Sequence, residues 1–181
     1  MGTVRSKEKW DCTRYLNGTR TLPPAEGKAG GEREDLAPSP LSSKVTGRTE
    51  GDQPQGKMRW AVLPSSLPGY PHCGTIKIDY TFTDGIQMER NPNPGKPFCG
   101  IGAVAYLPDD SEGNQVLRLL ERAFEQKLLF TVDSDGSGAE IVAWADVSHK
   151  TLASGGPESI SYPDPDYLKD VKRVLKAKGI E

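Results

Sequence analysis

The supply of large apolar residues changes abruptly near residue 57, and that change limits which part of the chain can fold. Before it runs "PPAEGKAGGEREDLAPSPLSSKVTGRTEGDQPQGK", rich in Gly, Pro, Ser and charge and nearly bare of large side chains. Such a segment cannot offset the entropy of ordering its backbone, so residues 1–57 read as a disordered, low-complexity region. "KWDCTRYLNG" near the start is either a small docking motif or a local cluster without fixed structure. From Met58 onward apolar residues recur with regular periods, and residues 58–181 carry one domain.

Those periods are mixed. "TIKIDYTF" alternates strictly, with Ile76, Ile78, Tyr80 and Phe82 facing one way and Thr75, Lys77, Asp79 and Thr81 the other. That is a half-buried strand. "MRWAVL" reads as a strand before it, and Asp84-Gly85 is a hairpin signal with "IQM" beginning the return. Farther on, Val116, Leu120 and Phe124 are spaced by four, with Leu117 and Ala123 beside them, which predicts a helix capped by Asp110 or Ser111. "LLFTV" and "EIVAWADV" are further strands across the turn "DSDGSG". A last helix is expected after Asp164-Pro165, burying Tyr167, Leu168, Val171, Val174 and Leu175 and stopped by Gly179. Strands and helices alternate without a βαβ rhythm, so the class is α+β.

Charge and cysteine content narrow the function. Lys+Arg number 23 against 25 Asp+Glu, so no strong field draws the chain to nucleic acid or anionic lipid. No apolar run approaches the ~18 residues of a membrane span, and Met1 to Trp10 lacks the apolar core of a signal peptide. The expectation is a soluble protein of the cytoplasm, with the nucleus as a second compartment. Cys12, Cys73 and Cys99, with His72 and His149, form no C-x-x-C pair. A cysteine-built zinc site takes about four close ligands, so neither a zinc RING nor another metal site is expected.

Residues 90–110, "RNPNPGKPFCGIGAVAYLPDD", are dense in proline and glycine between a strand and a helix. Proline fixes φ and glycine admits close approach of backbone. The stretch is either a shaped wall or a loop that crosses the sheet and packs on it. Trp144 suits core or pocket floor. His149 taken alone is structural or at the surface, and Asp164 and Asp166 are explained by capping and turn duty.

In chain order stand "SLPGY", "GTIKIDY", "DGIQ", "NPNPGKPF", "AYLPDD", "EGNQVLRLLERAF", "LLFTV", "SHKT", "GGPE" and "YPDPDYLK". With them, residues 58–181 resemble the carboxy-terminal domain of the Deltex ubiquitin ligases. The resemblance implies a small, mostly antiparallel sheet packed with two main helices. It implies a domain that binds ADP-ribose or NAD as a ligand, needs no cofactor, and works beside a RING that docks a ubiquitin-loaded conjugating enzyme. The partners it implies are the ubiquitin-conjugating machinery, a RING-containing Deltex relative, and ADP-ribosylated protein. Carried over by position, the groove would take its wall from residues 91–108, with Gly95, Gly100 and Gly102 offering N–H groups to a pyrophosphate. Tyr106, Ser134 or Ser137, Trp144, Ser148, His149, Lys150, Thr151 and Tyr162 complete it.

The chain also departs from that pattern. Asn91 and Ser148 stand where the family has histidine, and Ala103 where it has arginine. A lost guanidinium forfeits about 1.5–3 kcal/mol for one charge-assisted contact to phosphate. Ile160 replaces a histidine or tyrosine, and Val174 a glutamate suited to take a proton from a ribose hydroxyl. No catalytic residue is therefore expected here. The resemblance implies an adaptor that keeps the fold; the alternatives are a ubiquitin transferase using a RING in trans, and a structural competitor of full-length relatives.

Overall fold

A computed structural model of the protein describes residues 50–155 and 160–181. Residues 1–49, with most of the expected disordered region and the "KWDCTRYLNG" motif, lie outside the described residues. The elements run β1 (Gly56–Leu63), β2 (Thr75–Phe82), β3 (Gly85–Ile86), β4 (Pro97–Phe98), β5 (Gly102–Pro108), α1 (Ser111–Glu125), β6 (Phe130–Ser134), β7 (Glu140–Trp144) and α2 (Tyr167–Ala177). The class is α+β, as the mixed periods require.

The alternation in β2 organises the core. Ile76, Ile78, Tyr80 and Phe82 are all buried, and β2 is the middle strand of an antiparallel sheet in the order β1-β2-β5. Onto that face α1 lays Val116, Leu117, Leu120, Ala123 and Phe124. The second helix adds Tyr167, Leu168, Val171 and Leu175, with Val174 packed half-buried against them. Asp110 caps α1 by accepting from Gly113 N at 2.7 Å. A Cβ on Gly113 would lie 1.9 Å from the Pro108 carbonyl, so only glycine lets the helix start against the end of β5. Two small antiparallel pairs, β3–β4 and β6–β7, flank the main sheet and are linked by a parallel bridge between Cys99 and Ile141.

Three local expectations are corrected. Asp84-Gly85 is not a hairpin turn: Phe82 N donates to Ile101 O, β5 takes the place beside β2, and β3 pairs with β4. Asp84 instead accepts from Gly100 N at 2.9 Å. The stretch read as loop to Pro108 ends in a strand, because Ala103 and Ala105 occupy inward positions too small to show an apolar alternation. The last helix begins at Tyr167 with Asp166 at its N-cap and no side-chain cap bond, while Asp164 closes a turn by accepting from Asp166 N at 3.2 Å.

Folded packing also reaches further back than residue 58. Asp52 accepts from Thr131 Oγ1 at 2.8 Å. Gln53 is buried, and its Oε1 accepts from the amides of Leu129 and Phe130, each at 3.2 Å. Removing that oxygen takes an acceptor from both amides at the start of β6. Each buried donor left unmatched costs about 1–3 kcal/mol. Gln53→Ala is therefore expected to lower unfolding free energy by about 2–4 kcal/mol in denaturant titration, whereas Gln55→Ala, at an exposed site, should change it by less than about 0.5 kcal/mol.

Candidate functional site

The residues carried over to a ligand groove gather where β2, β5, β7 and the segment after β7 meet, and they do so in separate groups. The first is a ring stack. Phe130 and Trp144 are stacked at 4.4 Å between centroids, and Trp144 and His149 at 4.1 Å. Tyr80 meets Phe130, Trp144 and His149 edge-on. Trp144 is thus engaged by protein rings and packs against the core.

His149 is 6 % exposed and both ring nitrogens are bonded. Nδ1 lies 2.8 Å from the Val147 carbonyl, which can only accept, so Nδ1 carries the hydrogen. Nε2, 3.2 Å from the Tyr80 hydroxyl, is then the acceptor. Burial holds the ring well below the ordinary imidazole range, at about 4, against the raising effect of the Val147 carbonyl. Near neutral pH this histidine is uncharged and its tautomer is fixed.

The second group lies along the outer side of β5. The Tyr106 amide donates to Lys150 O at 2.9 Å, and the Tyr162 hydroxyl donates to Tyr106 O at 2.9 Å. Tyr106 stands in register with Lys77, so its side chain leaves the face of the sheet opposite to Tyr80 and the ring stack. Lys150 is fully buried, bonded to Asp164 at 2.6 Å and poised 5.1 Å from the Tyr167 ring. The lysine holds the Asp164 carboxyl below its usual range, overcoming burial. Tyr167 donates to Ser148 O at 3.3 Å, leaving the Ser148 side chain exposed, with Thr151 half-buried beyond it. Tyr162 is followed by a cis peptide to Pro163.

The connector forms the third group, and its organiser is a residue that sequence reasoning missed. Glu140, at the start of β7, is 7 % exposed. Its carboxylate accepts from Gln87 Nε2 at 3.1 Å, Asn93 Nδ2 at 3.1 and 3.2 Å, Ser134 Oγ at 3.1 Å and Lys96 Nζ at 3.4 Å. Burial would raise its pKa, but the bonds from Asn93, Gln87, Ser134 and Lys96 outweigh that and hold it below the ordinary glutamate value. A signal was present in "EIVAW": period two puts Glu140 on the inward face with Val142 and Trp144. Asn91, in the place of a family histidine, donates to Asp52 O at 2.5 Å and accepts from Met88 N at 2.7 Å. The proline-rich stretch is therefore held both by backbone bonds to β3 and Gln87 and by side-chain bonds that converge on Glu140.

Two of the three glycines do not offer free amides. Gly95 N donates to Gln87 O at 2.8 Å, and Gly100 N is taken by Asp84. A Cβ on Gly100 would fall 2.1 Å from Phe82 O, so its glycine serves backbone packing. Gly102 is exposed at the start of β5. Ser134 is drawn to Glu140, and Ser137 folds back onto Asp135 at 2.7 Å within the β6–β7 turn. A cavity of about 350 Å³ lies between Phe98, Lys96 and Ala139 of this wall. A second of about 1020 Å³ opens by Gln87, Pro94 and Gly95, sharing Phe98 with the first. Of the carried-over residues, Gly95 alone lines either one. Among the described residues no cluster of His, Cys, Asp and Glu is arranged to hold a metal ion, and no helix is long and apolar enough to cross a membrane.

Comparison with known proteins adds the lineage. Residues 50–180 match the family model of the Deltex C-terminal domain. The chain is 41% identical over 145 residues to the probable E3 ubiquitin-protein ligase DTX3 of Homo sapiens, covering 78% of this chain and 42% of that protein. It is 38% identical over 154 residues to E3 ubiquitin-protein ligase DTX1 of Xenopus laevis and to DTX4 of Mus musculus, covering 83% of this chain and 25% of each. The chain thus spans less than half the length of these curated relatives.

The buried imidazole predicts an acid-sensitive fold. An unfolded histidine takes up its proton near pH 6.5, whereas the folded ring resists until about 4. Stability contributed by neutral His149 is complete above pH 6.5 and falls as pH drops through that window. The loss is of order 3 kcal/mol. Denaturant unfolding between pH 7 and 4 should show it. His149→Gln, which can still accept from Tyr80 and donate to Val147 O, should flatten the slope even if it lowers stability at pH 7.

Proposed function

The chain belongs to the Deltex C-terminal domain family, and on that premise we propose that it serves the ubiquitin pathway as a non-catalytic binding module. The observation that carries this reading is the state of His149, the only imidazole among the residues carried over to the groove. It is neutral, buried and bonded through both nitrogens inside the fold. Ile160 and Val174 stand where proton-handling side chains were expected; the first is 43% exposed and the second half-buried. Neither can accept a proton, so ribose-hydroxyl ubiquitination is outside the reach of these residues.

The ligand we assign is ADP-ribose, free or on a modified protein, bound weakly. Ala103 supports that assignment and its weakness together. It stands opposite Tyr80, on the sheet face where the Tyr80 hydroxyl meets His149. An arginine there would reach a phosphate with a charge-assisted bond, and alanine cannot. The 181 residues do not supply the zinc ligands of a RING, so the module works with one provided by a Deltex relative or by another part of the polypeptide. A second reading is favoured by the relatives, which are named as ubiquitin-protein ligases. In it the chain supports ubiquitin transfer to lysine beside such a RING, a reaction whose amine nucleophile does not require the lost glutamate.

Titration calorimetry with ADP-ribose separates these outcomes. Weak binding is expected for the natural chain, and Ala103→Arg should tighten it by roughly tenfold or more, the equivalent of about 1.5 kcal/mol. Undetectable binding by both would reduce the module to protein–protein contact. For the second reading, lysine ubiquitination in a mixture of Deltex RING and loaded conjugating enzyme should fall when the chain is omitted; an unchanged rate rejects it.

A further inference from the structure

The outer strand of the main sheet is left open. β2 lies on one side of β1, and among the described residues no strand pairs with the other side. An open edge presents backbone N–H and C=O groups that template another strand, and proteins usually blunt it with a short strand, a proline or an inward charge. β1 has eight residues and no proline. Its cations, Lys57 and Arg59, alternate onto the face away from the core. The core-side face carries Met58, Trp60 and Val62, in register with Tyr80, Ile78 and Ile76. Trp60 and Val62 remain 48% and 50% exposed. The indole is held at the edge by its bond to Glu121 of α1 at 2.8 Å.

We propose that β1 is a self-association edge, on which a second copy of this chain pairs antiparallel about a two-fold axis at Trp60. The sequence of the strand selects that occupant. Pairing about Trp60 sets Met58 against Val62 of the second copy, and the two Trp60 residues against each other. On the opposite face Lys57 meets Leu63 and Arg59 meets Ala61. No like charges face one another, and the side chains that one chain leaves half-exposed acquire apolar neighbours. Moving the axis one residue back sets Arg59 against Arg59, which is unfavourable. A junction of one strand is small beside the about 1,200–2,000 Å² of stable complexes, so the dimer is weak and concentration-dependent.

Sedimentation velocity of the full chain across a concentration series tests this. The mass should rise from that of one chain toward that of two. Ala61→Glu places a carboxylate opposite Arg59 twice and should tighten association several-fold, whereas Ala61→Lys and Val62→Lys should weaken it several-fold. Both positions are exposed in the single chain, so circular dichroism and the melting temperature should be unchanged. A one-chain mass at every concentration overturns the proposal. So does an association indifferent to Val62→Lys, or one that Glu and Lys at position 61 weaken alike, since an axis at Ala61 sets the new charges against themselves.

Discussion

A hydroxyl buried at the centre of an apolar core must be bonded, and in this domain that requirement falls on Tyr80. Its ring is 1% exposed and touches Phe124 from α1, Phe130 and Trp144 from the β6–β7 pair, and His149 beyond them. One residue of the middle strand therefore joins three parts of the fold, and only His149 Nε2 answers its O–H. Low local dielectric strengthens that bond and raises the cost of breaking it. Burial keeps the imidazole neutral, and its tautomer is dictated from both ends, by a carbonyl at Nδ1 and a hydroxyl at Nε2. A histidine fixed in this way positions Trp144 and the Ser148–Thr151 segment, and does so at the expense of proton chemistry.

Glu140 plays the corresponding role for the connector. Prolines stiffen the stretch from Asn91 to Pro97 but supply no amide donors, so the short β3–β4 ladder and the bonds between Gln87, Gly95 and Lys96 hold only part of it. Its polar side chains are gathered by one carboxylate. A buried carboxylate is costly unless surrounded by donors, and here amide, hydroxyl and ammonium groups all reach it. The result is a stretch set by side chains from Gln87, the connector, β6 and β7, with hollows beside it.

Much of this was legible in the sequence, for reasons that differ by element. The β2 alternation and the four-residue spacing in α1 are strong because every inward position is large and apolar. β5 was hidden because Ala103 and Ala105 are small, and because long-range pairing with β2 leaves no local mark. Asp84-Gly85 misled, since a turn dipeptide does not say which strand follows it in space. The same limit applies to the groove. Motifs placed Tyr106 and Trp144 in one groove, but they stand in different sheets, and the register turns Tyr106 away from the face on which Tyr80 meets Trp144. Glu140 and Gln53 were readable in principle as polar residues at inward positions, yet apart from Ser134 their partners lie 44 to 77 residues away.

The pairing of Lys150 with Asp164 has an outcome for the chemistry of amines. Acyl and ubiquityl transfer need a reachable nitrogen, and Lys150 Nζ is not one: it is shut between a carboxylate and the Tyr167 ring, with its side chain 1% exposed. The exposed lysines of α2, such as Lys169 and Lys176, are open to such reagents. Labelling of Lys150 therefore requires that its packing against Asp164 and Tyr167 be broken first.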